Sequence, residues 1–213
     1  MSFRKFYPSL PYLVIDGSDE AHYKPIEDFD KRFNVELLHF NYNIHHGPGM
    51  AYGIKRIQTD QILLVDSDMI IHSKGWLEMM EKDLKKESYG IGDVQQEYYP
   101  VFRTDGTPEN RKTRRLRRKT KVRQIVDKVW IPYLHPVFAL INKEVALKYP
   151  LPFKGGAPLL FAMKDLYLKQ QTHLIQSAPY ITEDLWQHTM KYVQHNHNHE
   201  GMGTVVETKG YHL

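Results

Sequence analysis

Short apolar runs and segments of helical periodicity alternate from Tyr12 to Leu84, and that order constrains the fold more than any other feature of the 213 residues. Residues 12–15 form an apolar run that ends in the turn cluster Asp16-Gly17-Ser18-Asp19, and residues 35–40 form a second run, so both read as buried strands. Between them Ile26, Phe29 and Phe33 recur at helical spacing behind Pro25, which a first turn tolerates. Met50, Ile54 and Ile57 predict a helix entered through Gly47-Pro48-Gly49, and residues 61–71 are the strongest strand signal in the chain. Trp76, Leu77, Met80 and Leu84 mark the next helix, with Ser73 as its N-cap. The order βαβαβα predicts an α/β, Rossmann-like single domain over residues 1–213. A mainly parallel central sheet would be flanked by helices, with ligands beyond the carboxyl ends of the strands.

The second half is less regular. Residues 89–94 and 137–141 read as further strands, Leu159, Met163 and Leu166 as a helix after Pro158, and Trp186, Met190 and Val193 as another after Thr182. Between the two strands, residues from about 102 to 128 are polar and basic and read as a mobile loop. Residues 111–123 hold nine Lys or Arg and no acid, so removing them from the formal net charge of +4 leaves −5 for the rest. The run suits a solvated loop first and a cover over an anionic donor or acceptor second. A nucleic-acid-binding or DNA-modifying role ranks last, because no aromatic residue lies among the charges to stack on bases.

The chain has no cysteine, which excludes disulfides, thiolate nucleophiles and iron–sulfur clusters and leaves Asp, Glu and His as the strong metal ligands. No window supplies the roughly 18 apolar residues of a membrane span. Residues 1–5 lack the pattern of a signal or transit peptide, so the expectation is a cytoplasmic protein.

The chemistry concentrates at Ile62-Leu63-Leu64-Val65-Asp66-Ser67-Asp68. Side chains alternate along a strand, so an extended continuation puts Asp66 and Asp68 on one face at the strand's carboxyl end. Two carboxylates so placed suit Mg²⁺ or Mn²⁺, which keep waters and bridge to phosphates. The apolar residues on both sides argue against a merely solvated turn.

From Gly53-Ile54 through Asp66-Ser67-Asp68, the sequence resembles the GT-A nucleotide-sugar glycosyltransferases. In that family a Gly-Ile helix is followed, at this spacing, by the first acid of a metal-binding motif. Residues 12–19 are similar to the family's second strand, whose terminal acid, here Asp16, contacts the base or ribose. Among its branches the chain looks most like the capsid-glycan enzymes of large chlorella viruses, which would act in host cytoplasm. Two features depart from the pattern: residues 2–7 resemble the helix that follows the family's usual opening strand, and Met50 stands where the family carries Arg.

The resemblance implies a glycosyltransferase of hexosyl type. It would move a sugar from a UDP-sugar to a glycan or glycoprotein acceptor, with Mn²⁺ or Mg²⁺ as cofactor and retention or inversion left open. Asp66 and Asp68 would hold the metal, and Asp16, Asp66 and Ser67 the nucleotide. A late His, His199 first and His188 as its rival, would complete the metal shell. His135, Gly155 and Gly156 would line the sugar and acceptor side, with Asp165 near the family's acidic base. For His135 a buried strand position is an equal reading, and for Asp165 a surface helix position is.

Overall fold

The computed structural model describes residues 2–67, 69–71, 73–102, 126–153, 157–178 and 193–195. In chain order the elements are α1 (Ser2–Phe6), β1 (Leu13–Asp16), α2 (Glu20–Tyr23), α3 (Phe29–Phe33), β2 (Glu36–His39), α4 (His46–Arg56), β3 (Gln61–Val65) and β4 (Met69–Ile71). They continue with α5 (Trp76–Asp83), β5 (Gly90–Phe102), β6 (Val126–Asn142), α6 (Lys143–Ala146), α7 (Leu160–Leu168), β7 (Ile175–Ser177) and β8 (Val193–His195).

The central sheet has the order β3-β6-β5-β7. β6 runs antiparallel to both β3 and β5, and β7 is parallel to β5, so β3, β5 and β7 share one direction and β6 alone opposes them. β1 and β2 form a separate parallel pair, and β4 and β8 an antiparallel one.

Register explains the layers. Ile62 and Leu64 of β3 stand opposite Ile141 and Ala139 of β6, and these four join Ile54 of α4 and Ala162, Met163 and Leu166 of α7 in one buried cluster. The alternate positions, Leu63 and Val65 opposite Leu140 and Phe138, pack with Phe3 and Phe6 of α1 and Trp76, Leu77 and Met80 of α5. Period-two alternation thus covers both faces of the sheet with helices, the α/β arrangement that the sequence order predicts.

Several expectations need correction. The helix expected behind Pro25 holds only in part: Lys24–Ile26 form a 3₁₀ turn after α2, where Pro25 removes an N–H donor, and α3 carries Phe29 and Phe33 before closing at Asn34 with φ +52°. α4 starts at His46 and so includes Gly47-Pro48-Gly49 in its first turns. Gly75, at φ +102°, caps α5 in place of Ser73. The strand expected over 61–71 breaks into β3 and β4. The Asp66 N–H donates to the Val137 carbonyl at 3.1 Å and the Met69 N–H returns to the Asp66 carbonyl at 3.2 Å, closing a turn at residues that favour turns. Extended alternation therefore ends at Asp66. The long hairpin arms also reach further than expected, to Phe102 and from Val126, into the segment read as a loop. Residues 103–125 and 182–192 lie outside the described residues, and Val193, expected on a helix after Thr182, instead begins strand β8 opposite Ile71.

Candidate active site

Three strand ends converge. Asp16 ends β1 opposite His39, which ends β2. Gly17 follows Asp16 so closely packed that a Cβ there would stand 2.9 Å from the Ile44 backbone nitrogen. Two residues beyond Ile44, α4 begins at His46, whose Nε2 lies 3.0 Å from Oδ1 of Asp66 at the end of β3. The chain thus runs from Asp16 through Ile44 to Asp66 along the carboxyl edge, where an open α/β sheet binds its ligands. The amino terminus of an eleven-residue helix, the positive end of its dipole, lies at the same edge.

Asp66 keeps 24 % of its side chain exposed, enough to meet a ligand while its backbone stays fixed by Val137. Ser67 beside it is exposed. His45, which precedes α4, holds φ +62° and ψ 155°, with its N–H donated to Asn43 Oδ1 at 2.9 Å. A non-glycine residue so placed stores strain, and such strain collects at binding sites.

β6 supplies the opposite wall. Gly92 of β5 stands opposite Ala139, but Val94 stands opposite Leu134, so residues 135–138 bulge against Asp93 alone. Pro136 inside the bulge has no N–H for the ladder. His135 therefore sits on a bulge just past the end of β3, not in a regular core strand. Its Nδ1 accepts the Val137 N–H at 3.3 Å, and Val137 in turn holds Asp66. Asp93 is buried and accepts from Gln95 Nε2 at 2.5 Å. Burial pushes the Tyr133 phenol well above its ordinary value and the charges of Glu97 and Asp66 push it further, so it stays neutral beside the site.

The Asp16 corner is more enclosed. Oδ1 of Asp16 accepts from Ser18 Oγ at 2.6 Å and from the Ser18 N–H at 3.3 Å, while Oδ2 lies 2.6 Å from His39 Nδ1. Tyr23, at the end of α2, stacks on the His39 ring at 3.7 Å and 19°.

Asp165 lies on α7 and pairs with Lys169 at 2.8 Å, the i,i+4 arrangement of a helix surface. Its hydrogen bond holds the Lys169 ammonium above its ordinary range. Asp68, Gly155, Gly156, His188 and His199 lie outside the described residues.

Sequence reasoning missed His39, His46 and Asp93. The first two have partners more than 15 residues away, which no local pattern reveals, although His45-His46 directly before a Gly-Pro-Gly helix start was a usable signal. Asp93 was legible as the lone acid in Ile91-Gly92-Asp93-Val94.

For a divalent ion, the donor chemistry at the end of β3 fits: a partly exposed carboxylate with its backbone pinned and an imidazole 3.0 Å away. Among the described residues, no three His, Asp or Glu gather into a complete shell. The remaining ligands expected from sequence are among those outside the described residues.

Helices on both faces of a sheet with one reversed strand, and an acid-bearing turn at the carboxyl edge, define a GT-A type glycosyltransferase domain. Residues 12–149 match the family described as Glycosyl transferase family 2, and the chain belongs to that family. A search of the curated proteins finds no match. Among the described residues no helix is long and apolar enough to cross a membrane.

Proposed function

We propose that the protein transfers a hexosyl residue from a UDP-sugar to a carbohydrate or glycoprotein acceptor, with Mn²⁺ or Mg²⁺ held by Asp66 and Asp68. The observation that carries this reading is the seat of Asp66, at the end of β3, between the amino terminus of α4 and the β6 bulge, in a chain of glycosyl transferase family 2. A bound divalent ion would supply Lewis-acid relief for the charge that develops on the departing diphosphate. Asp66 offers a carboxylate oriented by His46, and the first turn of α4 adds partial positive charge where the diphosphate would lie. Asp16 serves the nucleoside side and Ser67 the phosphate side.

His135, with Gly155 and Gly156, lines the sugar and acceptor side in this reading, and His199 or His188 completes the metal shell. Asp165 is the candidate base, which requires that an acceptor hydroxyl replace Lys169 as its partner. On the resemblance to chlorella-virus enzymes, this reading takes the reaction to serve capsid-glycan synthesis in host cytoplasm.

Calorimetry with UDP, GDP and CMP, each in Mn²⁺ and in EDTA, tests the core of the proposal. UDP should bind with Mn²⁺ and not measurably in EDTA, because carboxylates repel a diphosphate until a cation intervenes. Equal affinity in both would remove the metal bridge, and no binding of any of the three would remove the nucleotide donor.

A further inference from the structure

Asp16 commits both carboxylate oxygens inside the protein. Oδ1 takes the hydroxyl and the N–H of Ser18, Oδ2 takes Nδ1 of His39, and only 6 % of the side chain is exposed. Oδ2 keeps a second lone pair, but with so little of the side chain exposed it offers a ligand scant access. The imidazole they hold is differently placed. His39 keeps 23 % of its side chain exposed, its plane is fixed by the Tyr23 ring, and among the described residues its Nε2 has no partner.

The chemistry of the pair then sets what Nε2 can do. An ionised carboxylate only accepts, so Nδ1 carries the proton, and a neutral imidazole with a proton on Nδ1 presents a lone pair at Nε2. The position, at the end of β2 beside the end of β1, is on the nucleoside side of the site as read above, and the inference rests on that reading.

We propose that Nε2 of His39, and not Asp16, meets the nucleoside, accepting the imide N–H of a uracil base, with Asp16 as the positioning residue that sets the tautomer. His39 is thereby a specificity determinant. Uracil offers a donor at N3 and cytosine an acceptor there, so a lone pair at Nε2 selects UDP over CDP. A site that hydrogen-bonds a particular group strongly rejects the analogue lacking it.

Asp16→Asn gives the sharpest test. The Ser18 N–H can only donate, which pins the Asn carbonyl oxygen toward Ser18 and turns its amide NH₂ toward His39. Nδ1 must then accept, the proton moves to Nε2, and the ring's exposed nitrogen becomes a donor. UDP and CDP affinities would be measured by calorimetry in Mn²⁺ for the parent, Asp16→Asn, His39→Ala and the double variant, beside thermal melting. Nitrogen-15 NMR would read the His39 tautomer in the parent and in Asp16→Asn.

The parent should bind UDP at least tenfold tighter than CDP, with the proton of a neutral His39 on Nδ1. In Asp16→Asn the proton should move to Nε2 and the UDP preference should vanish or invert. His39→Ala should bring the ratio near one, and the double variant should match it. A parent His39 protonated on Nε2 or on both nitrogens overturns the proposal, and that reading needs no variant to fold. An unchanged UDP/CDP ratio in a His39→Ala that melts like the parent also overturns it, as would equal parent affinity for the two nucleotides. A parent that binds neither UDP, CDP nor GDP overturns the nucleotide-donor reading and this inference with it.

Discussion

Adding one methyl group at each of three glycines around β1 and α4 should produce opposite signs. A Cβ on Gly17 would lie 2.9 Å from the Ile44 nitrogen, 3.0 Å from Ile44 Cγ2 and 3.1 Å from the Tyr42 carbonyl oxygen. Two of the three are backbone atoms, which cannot step aside without moving the segment that leads into α4. Overpacking of this kind costs about 1–3 kcal/mol. At roughly 2–4 °C per kcal/mol for a chain of this size, Gly17→Ala should melt about 2–12 °C below the parent. On Gly49 the same methyl would sit 3.6 Å from Ile15 Cγ2 and from Ile44 Cγ2, ordinary contact, and α4 gains helix propensity. That gain is about 0.8–1 kcal/mol, or a rise of about 2–4 °C. Gly53→Ala should fall between them, because its Cβ would meet at 3.0 Å only the Cδ1 tip of Ile15, which can turn away. Differential scanning calorimetry of the three variants measures the order. A Gly17→Ala variant melting at or above the parent, or a Gly49→Ala variant melting below Gly17→Ala, would refute the packing argument. The displaced Ile44 should also weaken UDP binding in Gly17→Ala, while Gly49→Ala leaves it alone.

His45→Gly should melt a few degrees above the parent, since relief of about 1–3 kcal/mol of strain at φ +62° exceeds the roughly 0.5–1 kcal/mol entropy penalty of glycine, and a fall on calorimetry would show that the conformation is unstrained. Asp68→Asn should lower sugar transfer by about 100-fold or more, because even outer partners of metal ligands cost 10–100-fold, without changing the melting temperature. Transfer near the parent level in a radiolabelled-donor assay would make Asp66-Ser67-Asp68 a turn and nothing else.

The elements that were legible in the sequence are those in which one local pattern decides. β3 announced itself because Ile62, Leu63 and Leu64 serve both faces of a covered sheet, and α7 because Leu159, Met163 and Leu166 repeat on one side of a helix. The break after Asp66 was hidden, since the pull on its backbone comes from Val137, about 70 residues away. The same distance problem conceals the β6 bulge. His135 read equally well as a core position because the slip from Ala139 to Leu134 depends on what β5 offers opposite. Asp16 was found by its place after an apolar run; its bond from Ser18 is local, two residues on, but its partner His39 is a property of the β1–β2 register.

The separation of β1 and β2 from the four-stranded sheet has an energetic consequence. Two strands by themselves are marginal in water, and most of the side chains on this pair are only partly buried. The pair therefore opens locally at a lower free energy than the sheet that carries Asp66. Asp16 and His39 stand on the softer platform and Asp66 on the stiffer one, with α4 bridging them through Gly49 and Gly53 against Ile15 and through Ile54 in the main core. A ligand that touches both platforms spends part of its binding energy on stiffening the first. Its apparent affinity is then set by the stability of the β1–β2 ribbon as well as by the contacts it makes.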